Sequence, residues 1–209
     1  MLIREFCAEN FTAVPQAVNA GVERIELCDN LSVGGTTPSF GVIQETADYL
    51  ADTKTSFSVL IRPRGGNFLY DSHELKIMEI DILRAVEAGA HGLVFGCLST
   101  DNKIDTEAMN TLLIASQGLP VTFHMAFDAI ADADKRPALE ALFDVGIDKV
   151  LLHGDSLDKP LNTEKIAALA RLSKRPELMI GGGVTADNAQ KLSALTETKF
   201  VHGTQIVTL

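Results

Sequence analysis

The sequence predicts a single-domain α/β protein, a (β/α)8 barrel of 209 residues whose eighth helix is missing or truncated. Strand-like runs alternate with amphipathic helical segments along the whole chain, and the alternation yields eight strands and seven helices. Strict alternation on a short pitch implies parallel strands joined by right-handed crossovers, which close into a barrel at about 200 residues or more. An open doubly wound sheet is the alternative, but no GxGxxG motif follows the first strand.

Each predicted strand is a short apolar run rich in β-branched residues, and each predicted helix repeats apolar residues at three- and four-residue spacing. The most regular helix is His73–Ala88, in which Leu75, Met78 and Ile82 share one face. In chain order the elements are strand Leu2–Cys7, helix Thr12–Ala20, strand Arg24–Leu27, helix Gly41–Ala51, strand Phe57–Ile61, helix His73–Ala88, strand Gly92–Phe95, helix Thr106–Ser116, strand Val121–Phe123, helix Ala138–Val145, strand Lys149–Leu152, helix Thr163–Leu172, strand Leu178–Ile180, helix Ala186–Leu195 and strand Lys199–His202.

A weak internal repeat supports this count. Gly21, Gly89 and Gly146 each end a helix, where a left-handed backbone costs glycine nothing, and an apolar strand follows within four residues. Seven residues follow the last strand, so the eighth helix is absent or reduced to a turn. Such a gap would expose the barrel beside the first and last strands, where either a second copy of the chain, or the first helix and the tail, would cover it.

Composition excludes several classes of protein. The chain has 18 Lys and Arg against 28 Asp and Glu, and its net charge of −10 opposes binding to nucleic acid. No apolar run approaches the ~20 residues of a membrane span, and the first residues lack the pattern of a signal peptide. We therefore expect a cytoplasmic protein with no membrane partner. Three cysteines at wide spacing, Cys7, Cys28 and Cys97, are predicted to be free thiols.

The working groups of such a barrel lie at the carboxyl ends of its strands. Glu5 and Glu26 interrupt apolar strands there, and a buried carboxylate needs a partner. Arg62, Arg64 and His124, also at strand ends, are the predicted partners. This cluster indicates a site for a small anionic or polyol ligand or for a metal ion, with catalytic roles for the two glutamates. The alternative is a structural ion-pair network that closes one end of the barrel.

Two further strand ends carry histidine. His124 ends the fifth strand and Asp128 follows four residues later, so His124 is a candidate general base or metal ligand and Asp128 a candidate catalytic residue. In a catalytic site, His124 and Glu26 would transfer protons. We interpret His153 and His202 as hydrogen-bonded residues at strand ends rather than as site residues.

Two segments suit an anion. Arg62 and Arg64 flank Pro63 and fit a carboxylate or phosphate, unless they pair with Glu26 or Asp29.

The second segment is the turn Gly181-Gly182-Gly183, which precedes a helix with Thr185 as its predicted N-cap. Bare amides near a helix N-terminus can hold a phosphate, with Gly203-Thr204 as the other half of the site. The alternative is a tight turn that needs glycine for its geometry alone.

Two cysteines share strand positions with the two glutamates. Cys7 has the parity of Glu5, and Cys28 that of Glu26, so if the glutamates point inward the cysteines do too. Two thiolates at one rim of the barrel are the ligands that Cu(I) prefers. The alternative is that both cysteines are small core residues.

Six segments, in order along most of the chain, resemble motifs of the CutC family of copper homeostasis proteins. They are Glu5-Phe6-Cys7, Gly21-Val22-Glu23-Arg24-Ile25-Glu26-Leu27-Cys28, Gly34-Gly35-Thr36-Thr37-Pro38-Ser39, Ile61-Arg62-Pro63-Arg64-Gly65-Gly66, Thr122-Phe123-His124 with Ala126-Phe127-Asp128, and Gly181-Gly182-Gly183-Val184.

The resemblance implies a cytoplasmic TIM-type barrel, often a homodimer, with a role in copper homeostasis and with Cys7 and Cys28 as Cu(I) ligands. It also implies a polar cluster formed by Glu5, Glu26, Arg62, Arg64, His124 and Asp128. Met125 stands where the family commonly has arginine, which removes a cation and adds a thioether. The first hypothesis is therefore a copper-binding protein. The alternative is a barrel enzyme of unassigned reaction that acts on a small phosphorylated or polyhydroxy substrate.

Overall fold

The computed structural model describes residues 2–172 and 175–209 and confirms the predicted barrel. Eight parallel strands close in sequence order, with β1 beside β8. The strands are β1 Ile3–Glu9, β2 Arg24–Cys28, β3 Ser56–Leu60, β4 Gly92–Phe95, β5 Val121–Phe123, β6 Lys149–Leu152, β7 Glu177–Ile180 and β8 Phe200–Gly203. The helices are α1 Val14–Asn19, α2 Phe40–Leu50, α3 Ser72–Glu87, α4 Thr106–Ala115, α5 Lys135–Asp144, α6 Thr163–Leu172 and α7 Ala189–Thr196.

The core has two parts, because each strand alternates its side chains between the helices and the barrel interior. The larger part lies between the strands and the helices, with Phe57, Ile82 and Leu112 fully buried in it. The interior is filled by two smaller clusters. One holds Leu151, Met179 and Phe200, and the other holds Cys7, Cys28, Leu60 and Val94. The cysteine cluster forms the floor of the open, carboxyl end of the barrel.

The helix α3 shows how local sequence sets an element. Asp71 precedes it and accepts hydrogen bonds from the amides of His73 and Glu74 at 2.8 and 2.9 Å. The Glu74 carboxylate in turn accepts from the amide of Asp71 at 3.0 Å, which completes a capping box. The helix therefore begins at Ser72, one residue before the predicted start.

Two helix starts differ from prediction by three residues. Helix α5 begins at Lys135, three residues before the expected Ala138. Helix α7 begins at Ala189 rather than Ala186, and the prediction of Thr185 as its N-cap is wrong. Thr185 instead forms a parallel bridge with Gln205, which holds the segment after β7 against the segment after β8. Because of this bridge the helix begins later than predicted, and Thr185 and Gln205 line the cavity at the carboxyl end of the barrel.

The eighth helix is missing, as predicted, because a bend and a bridge follow β8 within residues 204–209. The expected exposed gap is not seen. Ile206 and Val207 of the tail are buried in the outer core, so of the two alternatives the structure favours coverage by the tail. Among the described helices, none is both long and apolar enough to cross a bilayer.

Candidate functional site

A cavity of about 580 Å³ opens at the carboxyl end of the barrel. Its walls are mostly apolar, with Leu60, Phe68 and Leu151 among them. Six side chains bring chemical function to it, namely Cys7, Glu26, Cys28, Arg62, His124 and His202. The structure therefore brings together five of the residues singled out from sequence and adds His202.

Below the cavity, Glu5 lies between the side chains of Arg24 and His202. Its carboxylate accepts from Arg24 Nε at 2.9 Å and lies 3.0 Å from His202 Nδ1. The register explains this contact, since Glu5 is opposite Arg24 on β2 and His202 on β8. Burial opposes ionisation of Glu5, but the hydrogen bond from His202 and the charge of Arg24 outweigh it and lower its pKa to about 2. Glu5 is thus an ionised, fully paired carboxylate.

The prediction that Arg62, Arg64 and His124 would pair with Glu5 is wrong, since Arg24 and His202 take that place. Burial alone would lower the pKa of His202, but the carboxylates of Glu26 and Glu5 raise it instead.

Glu26 is the carboxylate that faces the cavity. Its Oε2 lies 4.0 Å from His202 Nδ1 and has no hydrogen-bond partner among the described residues. Burial is the main reason that its pKa rises to about 7. In the register, Glu26 is opposite Cys7 and so lies two residues nearer the carboxyl end of the barrel than Glu5. Glu26 therefore faces the cavity, whereas Glu5 is held charged below it.

The two inward-facing cysteines are in contact. The Sγ atoms of Cys7 and Cys28 are 3.8 Å apart, and Cys28 also donates to the carbonyl of Ala8 at 3.4 Å. The hydrogen bond to Cys28 and burial raise the pKa of the Cys7 thiol well above its usual value. Ligand atoms of Cys7, Glu26 and His202 all lie within 4.8 Å of one another, so these side chains could share a metal ion.

Arg62 lies at the β3 side of the cavity with its guanidinium buried. Its terminal nitrogens donate to the carbonyls of Val33, Gly35 and Gly66 at 2.9 to 3.0 Å. Its plane also lies over the ring of Phe68, with Cζ 5.0 Å from the ring centre. Arg62 therefore holds the loops after β2 and β3 together while its charge stays beside the cavity.

His124, at the end of β5, is a neutral hydrogen-bond donor. Its Nδ1 accepts from the amide of Ala126 at 3.3 Å, which puts the ring hydrogen on Nε2. That Nε2 is buried without a partner in the described chain. Burial, and then the charge of Arg62, lower the pKa of His124 to about 3. The predicted role as general base does not fit a ring whose available nitrogen already carries hydrogen.

Arg64 lies outside the cavity wall. Its guanidinium pairs with Glu74 in the capping box of α3 and donates to the carbonyls of Asn67 and Leu69. Because these contacts use its donors, Arg64 stabilises the loop before α3 in this structure.

Asp128 also acts on a loop. Its carboxylate accepts from the amides of His153 and Gly154 at 2.7 and 2.8 Å, so it fixes the chain after β6. The His153 ring lies between the carbonyls of Gly181 and Lys159, at 2.9 Å from each. This supports the interpretation of His153 as a hydrogen-bonded strand-end residue.

The glycine turn forms the β7 wall. At Gly181 an added Cβ would lie 2.8 Å from Met125 Cε and 3.2 Å from His202 Cδ2, so a side chain here would displace its neighbours. Gly182 and Gly183 have φ angles of 81° and 80°, a left-handed backbone that favours glycine, and both line the cavity. The amides of these two residues donate no hydrogen bond to any described residue.

Sequence reasoning missed Arg24 and His202. The position of His202 could have been inferred, because closure of eight strands makes β1 and β8 neighbours and so brings His202 near Glu5. The register that pairs Glu5 with Arg24 could not be read in the same way, since it depends on the stagger of β1 against β2.

Comparison with known proteins identifies the family of the chain. The model of the CutC family matches residues 2–207 of the chain. The chain belongs to the CutC family. A CutC protein of Streptococcus pyogenes serotype M6 is 54% identical over 209 residues, which cover 99% of this chain and 100% of the relative. The human copper homeostasis protein cutC homolog is 40% identical, over 91% of this chain and 68% of its own.

The fold has been solved in the family. The crystal structure of CutC from Streptococcus agalactiae superposes with a TM-score of 0.96 at 50% identity, and covers 99% of this chain and 100% of that one. The barrel described above is therefore the CutC fold, and relatives in the family carry names that refer to copper homeostasis.

Proposed function

We propose that this CutC protein acts in copper homeostasis in the cytoplasm and binds Cu(I) through Cys7 and Cys28. The observation that carries the proposal is the 3.8 Å separation of their Sγ atoms in the buried floor of the cavity. Soft thiolates select Cu(I), and a site shielded from water favours a soft cation over hard, strongly hydrated ones.

A third donor lies next to the pair. With Nδ1 of His202 held by Glu5, its Nε2 is the nitrogen left for a metal, in the arrangement of a carboxylate that orients a metal-bound histidine. His202 must be neutral and the thiols ionised before they bind, so Cu(I) binding releases protons and weakens as pH falls. The pKa of Cys7 is raised by its hydrogen bond to Cys28 and by burial, so this thiol is protonated at neutral pH and its proton is among those released.

The test is an anaerobic titration in competition with a chromophoric Cu(I) chelator. We expect the Cys7→Ser/Cys28→Ser variant to bind about 100-fold or more weakly than wild type, since even loss of a supporting group beyond the ligands costs 10- to 100-fold. Cys97→Ser is the matched control, because Cys97 is also buried but does not line the cavity. Equal affinity in wild type and in the double variant would refute the proposal.

We also propose that the protein forms a homodimer. The support is an apolar surface on neighbouring helices, where Ile77 and Ile80 of α3 are about half exposed and Ile114 of α4 is 81% exposed. Sedimentation velocity tests this, and a single species of 22.5 kDa at micromolar concentration would contradict it.

A second candidate function is catalysis on a small phosphorylated or polyhydroxy substrate. It is favoured by three buried polar atoms of cavity-lining residues that have no hydrogen-bond partner among the described residues, Glu26 Oε2, Arg62 Nε and His124 Nε2. Buried polar atoms are normally hydrogen-bonded, so such atoms facing a cavity indicate a ligand that satisfies them. Copper held by Cys7 and Cys28 leaves His124 unused.

A further inference from the structure

We propose that the cavity binds a small phosphorylated carbonyl compound, with the carbonyl oxygen on His124 and the phosphate on the Gly182-Gly183 turn. This inference rests on the second candidate function and is independent of copper binding. It assigns a separate role to the β3, β5 and β7 walls of the cavity, which face the cysteine pair.

The first step concerns His124. Its Nδ1 is occupied by the amide of Ala126, so Nε2 carries the hydrogen and can only donate. No acceptor for this donor exists in the described chain, and a buried donor without an acceptor is destabilising. A ligand oxygen that enters the cavity supplies the missing acceptor.

The second step concerns the charge beside that donor. Within residues 2–172 and 175–209 Arg62 has no acidic partner, only backbone carbonyls, so its positive charge is not neutralised locally. Arg62 and His124 pack on the same ring, with Phe68 5.0 Å from Arg62 Cζ and 4.8 Å from the centre of the His124 ring. A buried, unneutralised cation favours an anionic ligand and stabilises negative charge that develops on an oxygen bound to His124.

The third step concerns the oxygen itself. His124 offers a hydrogen and Arg62 offers positive charge, and neither can accept a hydrogen bond. A carbonyl oxygen only accepts, whereas a hydroxyl would bring a hydrogen that needs an acceptor of its own among apolar side chains such as Leu60 and Phe68. This end of the cavity therefore matches a carbonyl better than an alcohol.

The fourth step places the phosphate. Gly182 and Gly183 present amides with no acceptor in the described chain, and a Cβ built on Gly183 would meet nothing within 4 Å. Consecutive bare amides in a turn form a concave anion site. Between this turn and His124 the cavity is lined by Met125 and Leu151, which suit a short carbon chain.

The test uses metal-free protein and dihydroxyacetone phosphate, labelled with 13C at its carbonyl, as the probe. Calorimetry measures its affinity against two matched probes, sn-glycerol 3-phosphate without the carbonyl and dihydroxyacetone without the phosphate. We expect both to bind at least about 10-fold more weakly, since each leaves one end of the site unpaired. Infrared difference spectra should show the bound carbonyl band shifted to lower frequency, because a hydrogen bond from His124 polarises it.

Two variants locate the ends of the ligand. His124→Asn keeps an oxygen that can cap Ala126, and its shorter side chain has no donor at the position of Nε2. It should abolish both the band shift and the preference for the carbonyl probe. Gly183→Ala should weaken both phosphorylated probes and leave dihydroxyacetone unchanged. His73→Asn, a change of the same type at an exposed site, is the control and should behave as wild type.

The outcomes separate this inference from the copper proposal. If Cys7→Ser/Cys28→Ser loses Cu(I) but still binds dihydroxyacetone phosphate with the shifted band, both proposals stand. Absence of binding to wild type, or a bound carbonyl band at its solution frequency, overturns this inference whether or not His124→Asn folds. Retention of the band shift in a folded His124→Asn variant also overturns it.

Discussion

On the β1, β2 and β8 side of the cavity, Glu5 lies in a network of buried charges that satisfy one another, although Glu26 Oε2 above it has no partner among the described residues. The β3 and β5 side has no such network among those residues. Glu5 has both Arg24 and His202 within 3.0 Å. Across the cavity, the hydrogen bonds of Arg62 within the described residues go to carbonyls, and His124 Nε2 has no partner among those residues. The paired side is built to be stable by itself and holds the cysteines in place. We infer that a ligand completes the unpaired side, so substitutions on the two sides should have different effects.

The largest expected effect is on the paired side. Glu5→Gln should lower the free energy of unfolding by about 3–5 kcal/mol, because it leaves Arg24 and His202 without their buried counter-charge. Glu23→Gln is the matched control, since it removes a partner of Arg4 in an exposed pair and should cost less than about 1 kcal/mol. Urea denaturation at pH 7 measures both. Similar losses in the two variants would show that the buried network contributes no more than a surface pair.

On the unpaired side we expect a smaller effect, which is a dependence of stability on pH that arises from His124. The pKa of His124 is about 3 in the folded protein, against 6.5 in the unfolded chain, so between these values the unfolded state takes up a proton that the folded state refuses. Because the folded state keeps His124 neutral, the free energy of unfolding decreases as pH falls, by up to about 1.4 kcal/mol per pH unit between these two pKa values. The stability advantage of wild type over His124→Asn should shrink from pH 6.5 to pH 4.5. Glu5, whose pKa of about 2 lies below its usual 4.5, loses its contribution only at lower pH.

Urea denaturation of wild type and His124→Asn at half-unit steps between pH 7 and 4.5 measures this difference. A difference in free energy of unfolding that stays constant over that range would mean that His124 is not held neutral by burial and by Arg62.

The smallest effect is expected at Arg64, which belongs to neither side. Arg64→Gln removes a partly exposed pair with Glu74 and should cost no more than about 1 kcal/mol. It should leave Cu(I) affinity unchanged, because Arg64 does not line the cavity. A tenfold loss of Cu(I) affinity in a titration of this variant would contradict the placement of Arg64 outside the site.

Much of the paired side could be predicted from sequence. Alternation along a strand gives Glu5 and Cys7 one face and Glu26 and Cys28 the corresponding face of the next strand, and the contact between the two cysteines bears this out. The barrel itself followed from counting elements. These inferences use local periodicity, which a single sequence displays in full.

The unpaired side could not be predicted as well, because its contacts join residues far apart in the chain. Arg64 looked equivalent to Arg62 across Pro63, but the capping box of Asp71 and Glu74 draws it away from the cavity. His124 looked like a base because nothing in the sequence reveals that Ala126 donates to its Nδ1. Which nitrogen keeps its hydrogen depends on a turn that only the structure shows.

The central claim is that the cysteine floor of the cavity holds Cu(I). The most direct measurement is a crystal structure of anaerobically Cu(I)-loaded protein with anomalous data on both sides of the copper absorption edge. We predict one strong anomalous peak within bonding distance of both Cys7 Sγ and Cys28 Sγ. A copper peak located elsewhere, or none at full loading, would contradict the claim.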